Sequence, residues 1–116
     1  MESILTSIKK LLGIEEDYEH FDADIIMHIN SVLTILHQLG VGTKEDFAIT
    51  DKTSTWNDFL EGNLGNLNAV KTYTYLKVRL LFDPPTASSV TDSLNRLANE
   101  LEWRLNVTAE NNRKEE

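Results

Sequence analysis

The chain has 116 residues, no cysteine and a formal net charge of −8. A chain of this length forms one domain with a modest core, and without cysteine it has no disulfides, thiolate metal sites or cysteine nucleophiles. Its acidity argues against a dedicated nucleic-acid binder, because affinity for phosphates comes from clustered Lys and Arg. No apolar run approaches the ~20 residues that span a bilayer, and nothing resembles a signal peptide, which predicts an intracellular protein.

The first predicted element is a short amphipathic helix. Its apolar residues recur at helical spacing: Ile4, Leu5, Ile8, Leu11 and Leu12. Lys9 and Lys10 fall in its last turn and Gly13 follows, an arrangement typical of a helix end. An acidic connector, residues 15–19, leads to the next element.

A longer helix is predicted to begin with Asp22 as its N-cap and to end at Gly40. Phe21, just before the cap, can pack on Ile26 as a hydrophobic staple. One apolar stripe is expected to be buried, formed by Ile25, Ile26, Ile29, Val32, Leu33, Leu36 and Leu39.

Residues 41–66 break the helical pattern and are predicted to form a long loop with one helical turn at 56–61. Thr55 and Asp58 resemble a capping box for that turn. Loops of this length are uncommon inside compact domains and are often functional.

The segment from Leu67 to Phe82 is predicted to be the core helix, about 24 Å long. It is apolar on two sides, one with Ala69, Tyr73, Leu76 and Leu80, the other with Tyr75, Val78 and Phe82. A surface helix needs one apolar stripe, so both sides of this helix must be covered. In a small protein the second cover can come from another chain, which favours an assembling protein over a free monomer.

Two prolines, Pro84 and Pro85, end this helix, because proline cannot donate within a helix and disfavours helix at the preceding residue. The last helix is predicted to start at Ser88 or Ser89 and to bury Val90, Leu94, Leu97, Leu101 and Leu105. Trp103 lies about 200° around from Leu101 and therefore points away from that stripe.

The predicted fold class is all-α, a small bundle of four main helices plus one short loop helix. Residues 1–107 are expected to form the helical domain and 108–116 a polar C-terminal tail. Val107 and Ala109 are the only apolar residues between Asn106 and the end. The segment is therefore predicted to be disordered alone and ordered by a partner.

Six acidic residues lie within 15–24, the densest cluster that could carry chemistry. Such a cluster suits Mg²⁺ or Ca²⁺, and Glu15, Glu16 and Glu19 match half of the acidic motif of all-α nucleotide pyrophosphohydrolases. The other half is missing, since Ala48 stands three residues after Glu45. A solvated linker is the favoured interpretation. We predict no catalytic residue, no metal and no cofactor.

Trp103 and Arg104 are the first candidates for an interface, because tryptophan and arginine are enriched at hot spots. For Trp103, a contact between subunits and packing on the N-terminal helix both remain open, whereas a place in the local core is favoured for Trp56. The candidates for subunit or partner contacts are Trp103, Arg104, Tyr75, Val78, Phe82, Trp56, Asn106, Arg113 and Lys114.

The segment 71–85, KTYTYLKVRLLFDPP, followed by 101–106, LEWRLN, resembles the head–tail connector (adaptor) proteins of long-tailed bacteriophages. The resemblance covers nearly the whole chain, since it also includes 11–14, Phe21-Asp22, 39–42 and 51–60.

This resemblance implies a non-enzymatic virion protein, present in the host cytoplasm during assembly. It implies a ring on the portal, twelve-fold like the portal, that extends the DNA channel and docks the next connector, stopper or tail protein. DNA would pass without specific binding, and Asp46, Asp51, Asp58 and Glu61 are the candidates for facing it. The alternative is a small acidic all-α binding or regulatory module that forms a dimer.

Overall fold

The computed structural model describes residues 2–42 and 46–115, with side chains as far as residue 111. This part of the chain is all-α, which confirms the predicted fold class. In chain order its elements are α1 (Ile4–Leu12), α2 (Asp22–Gln38), α3 (Trp56–Leu60), a 3₁₀ turn (Leu64–Asn66), α4 (Leu67–Phe82) and α5 (Ser88–Glu115).

Local capping explains where the short helices begin. At α1 the Ser3 hydroxyl accepts a hydrogen bond from the Thr6 N–H at 3.2 Å. At α3 the predicted capping box is present: Thr55 Oγ1 accepts from the Asp58 N–H, and the Asp58 carboxylate accepts from the Thr55 N–H. Each bond satisfies a donor that has no partner inside its helix.

The predicted N-cap of α2 is wrong by one residue. Asp22 is the first helical residue, and Phe21 occupies the cap position without a side-chain hydrogen bond. The Asp22 carboxylate instead lies 2.8 Å from the ammonium of Lys9 on α1. A buried cation thus attracts the carboxylate that would otherwise cap the helix.

The central helix α4 separates α2 from α5. Tyr73 and Phe82 are nine residues apart, which is half a turn at 100° per residue. The Tyr73 hydroxyl donates to the Glu102 carboxylate of α5 at 2.8 Å, whereas the Phe82 ring packs on Phe21 and His28. α2 and α5 therefore lie on opposite sides of α4. Burial, and then Glu102, raise the pKa of Tyr73.

Both apolar sides of α4 pack against helices of the same chain, so the suggestion that a second chain could supply one cover loses its support. Tyr73 and Val78, one from each side, are fully buried. The cover comes from α5 on one side and from α1 and α2 on the other. Evidence for assembly must come from other residues.

The loop between α2 and α3 is attached to α2 by two hydrogen bonds between a side-chain amide and the loop backbone. The Asn30 amide donates to the Ile49 carbonyl and accepts from the Ile49 N–H, at 3.0 and 2.8 Å. Ile49 is buried. Ile49 therefore anchors the loop to α2 and the core, while most of the other described loop residues are exposed.

The helix α5 differs from its predicted form in register and in length. Val90 and Leu97, both expected in the buried stripe, are exposed, while Ala98, Leu105 and Ala109 are buried. The stripe is rotated towards Ala98, whose small side chain permits close packing. Burial continues to Ala109 and the helix to Glu115, so the segment predicted as a disordered tail is described here as the end of α5.

Candidate interaction surfaces

Two of the predicted interface residues lie wholly inside the chain. Trp56 and Val78 each have 0% exposure, and the indole N–H of Trp56 donates to Ser7 Oγ at 2.8 Å. These side chains offer no surface to a neighbouring chain. Trp56 and Val78 are therefore not interface residues in this structure, and Trp56 has the core role that was favoured for it.

Trp103 is the most exposed large apolar residue of the described chain, at 65%. It lies about 140° around α5 from buried Ala98 and about 200° from Leu105, so it faces away from α4. At this exposure Trp103 lacks the enclosure that packing on the N-terminal helix, the other role left open for it, would give. Within about 40° of Trp103 around the helix lie Asp92, Arg96, Val107 and Glu110, which share its side. We call these four residues and Trp103 the outer face of α5.

The other candidates are partly engaged within the chain. Arg104 donates to Glu100 at 2.7 Å in an exposed pair, which is worth little in stability. Tyr75 and Phe82 are half-buried. The Asn106 amide donates to the Leu39 carbonyl at 3.3 Å, at the end of α2. Arg113 and Lys114 belong to α5, but their side chains lie outside the described residues.

An aromatic patch joins the start of α2 to the end of α4. Four rings, those of Tyr18, His20, Phe21 and Phe82, form it through edge or tilted contacts with centroids 4.7 to 6.0 Å apart. Tyr18 and Phe21 are 49% and 37% exposed. Sequence reasoning missed this patch because Phe82 is distant in the chain, although the close spacing of three rings before α2 was a usable signal.

A buried lysine holds the acidic connector against α1. Lys9 is only 2% exposed, and its ammonium donates to the carbonyls of Glu16 and Tyr18 at 2.9 and 2.8 Å. It also lies 2.8 Å from Asp22 Oδ1. The connector exposes its acidic side chains, as a solvated linker would, but its backbone is fixed.

Replacing Lys9 with Met is expected to lower the free energy of unfolding by about 3 kcal/mol, because a carboxylate and two carbonyls lose their common donor. Lys10→Met is the matched control, since Lys10 is exposed on the same turn, and it should change stability by no more than ~0.5 kcal/mol. Urea unfolding followed by circular dichroism measures both. Equal effects of the two substitutions would contradict the role of Lys9.

The connector and the loop after α2 together line an acidic cavity of about 640 Å³. Its acidic residues are Glu15, Glu16, Asp17, Glu19, Asp22 and Asp51. The hydroxyl and then the backbone N–H of Thr53 lower the pKa of Asp51. Among the side chains that the structure describes, in 2–42 and 46–111, no group of three or more potential ligands could hold a metal ion.

The four residues proposed to face DNA lie on the loop before α3, within α3 and directly after it. Asp46, Asp51, Asp58 and Glu61 are all exposed. Asp58 also caps α3, and Glu61 follows α3 in the left-handed region, with φ of 50°. The structure thus keeps all four carboxylates at the surface.

Comparison with known proteins gives one match. A family model described as phage connector protein matches residues 4–112, whereas no curated protein and no solved structure matches. The match covers all the helices except the end of α5 and confirms the predicted family. In the described part, no helix is both long and apolar enough to cross a membrane. The chain belongs to the phage connector protein family, whose members are structural proteins of the bacteriophage particle.

Proposed function

We propose that this connector forms a ring on the portal, extends the DNA channel, and docks the next connector or tail component. The observation that carries the proposal is the exposure of Trp103 in a chain that fully buries Trp56, Tyr73 and Phe59. An isolated tryptophan facing water leaves a large apolar surface uncovered, and tryptophan is the residue most enriched at interface hot spots.

The charge of the chain supports passage of DNA without binding. A net charge of −8 on each subunit surrounds a channel with negative potential when several subunits form a ring. Asp46, Asp51, Asp58 and Glu61 are proposed to contribute, since all four are exposed. DNA repelled by the wall slides past it.

The ring is tested by light scattering of the purified chain and by imaging of portal-bearing heads incubated with it. We expect a ring-sized particle in solution, or one ring at the portal vertex of each head. A stable dimer that leaves the heads unchanged would favour the regulatory module instead. A monomer that does not join the heads would refute the ring.

Duplex DNA is expected not to bind this protein at physiological salt, because repulsion between the two polyanions gives no release of counterions to drive association. Fluorescence anisotropy of a labelled duplex measures this. The control is the same titration with Asp46→Lys and Asp51→Lys combined, which should raise the affinity. Measurable binding by the unmodified chain with a steep salt dependence would contradict a channel wall that repels DNA.

The end of α5 is proposed to reach a partner, with the portal as the partner favoured by the family. At 28 residues the helix is about 42 Å long, whereas α4, with 16 residues, is about 24 Å long. After Ala109, residues 110–116 contain no apolar side chain. The last turns of α5 therefore add little to the core and suit polar contacts at an interface rim.

A chain that stops after Glu110 should keep its stability but join portal-bearing heads less well. The cut leaves buried Leu105 and Ala109 in place. A chain that stops after Val107 loses Ala109 as well and should be less stable by about 1 kcal/mol. Thermal unfolding measures the stability of each shortened chain, and sedimentation with portal-bearing heads measures its incorporation. Full incorporation of the chain that stops after Glu110 would show that the end of α5 is dispensable.

A further inference from the structure

The acidic connector, residues 15–19, is attached to the fold through its backbone and not through its side chains. All five side chains are exposed. Among the described residues none of them enters an ion pair, and the ring of Tyr18 contacts only its near neighbours His20 and Phe21. Burial of side chains therefore does little to hold this segment in place.

One ammonium group joins the backbone of the connector to α1. Lys9 Nζ donates to the Glu16 carbonyl at 2.9 Å and to the Tyr18 carbonyl at 2.8 Å. The other backbone hydrogen bonds of the connector within the described chain span three residues each and close local turns. Because Lys9 is 2% exposed, water has little access to the ammonium and cannot easily replace the two carbonyls.

The helices on either side are anchored without the connector. The Trp56 indole N–H donates to Ser7 Oγ, so α1 is fixed to α3. The Ile4 N–H donates to the Ser54 carbonyl, which adds a second attachment of α1. On the other side, α2 is held by its buried apolar stripe, where Ile25 has 0% exposure. The connector can therefore leave its place while both helices keep theirs.

The charges of the connector favour its release. Four of its five residues are acidic: Glu15, Glu16, Asp17 and Glu19. Like charges this close together repel each other. Exposed segments with few buried contacts also open at a lower free energy than the core does. The buried ammonium of Lys9 supplies the attraction that opposes this release.

We propose that the acidic connector opens and closes as one unit while the helices stay folded, and that Lys9 is the group that holds it closed. Opening takes Tyr18 out of the aromatic patch. It also turns the acidic cavity into an open groove, since the connector forms one wall of that cavity and Leu5 and Ile26 line another part. This motion belongs to the single chain, so it does not require the proposed ring.

Amide hydrogen exchange of the full chain, followed by NMR, tests whether the opening is local. Leu105→Ala truncates a buried residue of α5, across α4 from the start of α2, and should destabilise the whole fold. Core amides such as those of Leu33 and Leu76 should then exchange at least about 30-fold faster. The Tyr18 amide should exchange at an unchanged rate. If the Tyr18 and core amides accelerate together, the connector is released only by global unfolding and the proposal is wrong.

The role of Lys9 is tested by Lys9→Met, with Lys10→Met as the matched control on the same turn. In Lys9→Met the Tyr18 amide should lose its protection from exchange and behave as in an unstructured peptide, while the core amides stay protected. Lys10 is exposed, so its substitution should leave the exchange of both unchanged. Circular dichroism checks the folding of each variant.

The protease Glu-C, which cleaves after glutamate, gives an independent measurement on the same chains. Mass spectrometry should locate fast cleavage after Glu15, Glu16 or Glu19 in Lys9→Met, and slow cleavage there in the natural chain and in Lys10→Met. A folded Lys9→Met chain whose connector resists both exchange and cleavage would show that other contacts hold it. A Lys9→Met chain that unfolds altogether would also overturn the proposal, because the connector would then belong to the cooperative core.

Discussion

Replacing Trp56 with Ala is expected to lower the free energy of unfolding by about 3–5 kcal/mol. The side chain is fully buried, and its indole N–H donates to Ser7 Oγ. Removing the ring leaves a cavity between α1 and α3, and Ser7 Oγ loses the donor that it accepts from, although it still donates to the Ile4 carbonyl. The free energy of unfolding of a domain is only about 5–15 kcal/mol in total, so this single substitution removes a large share of it.

The chain offers a matched control for that substitution in its other tryptophan. Trp103→Ala removes the same side chain from a position that is 65% exposed, and it should alter the stability of the monomer by no more than ~0.5 kcal/mol. Urea unfolding followed by circular dichroism compares the two. Trp56→Phe keeps a ring but loses the hydrogen bond, so its loss of unfolding free energy should lie between those of the two alanine variants. Similar losses for both alanine variants would contradict the assigned core and surface roles.

Trp103→Ala is expected to have the largest effect on assembly. A hot-spot tryptophan contributes at least about 2 kcal/mol to its contact, which corresponds to an association about 30-fold weaker. In a ring every junction contains one copy of this residue, so the loss is repeated around the ring. Light scattering over a concentration series and incorporation into portal-bearing heads measure the effect.

The control for assembly is Leu97→Ala. Leu97 is also an exposed apolar residue of α5, at 42%, but it lies about 120° around the helix from Trp103. Its truncation should leave assembly nearly unchanged. If the Leu97 and Trp103 variants assemble equally well, Trp103 is not an anchor, and the interface must lie on another surface.

Much of the fold could be predicted because its signals are local. Several helix boundaries are marked by residues that are neighbours in the sequence. Examples are Gly13, shortly after Lys9 and Lys10, the pair Thr55 and Asp58, and the two prolines after Phe82. The family resemblance depended on the order of such short segments. Trp103 could be identified as pointing away from the core by counting residues around one helix.

What the sequence could not show depends on contacts between distant residues. Asp22 is drawn from its cap position by Lys9, and α5 is rotated towards Ala98 by packing on α4. The two apolar sides of α4 gave no indication of which chain covers them. The aromatic patch needed Phe82 next to Phe21, a juxtaposition that only the folded chain provides.

The attachment of the N-terminus has a consequence for how the chain folds. The Ile4 N–H donates to the Ser54 carbonyl, and Ser7 accepts from Trp56, 49 residues later in the chain. Forming these contacts requires closing a long loop, whose entropic cost precedes any gain from the contacts. α1 precedes α3 in the chain, so its polar anchors exist only after the α3 segment has been synthesised and brought back to it. The final placement of α1 therefore depends on closing this loop and not on its own residues alone.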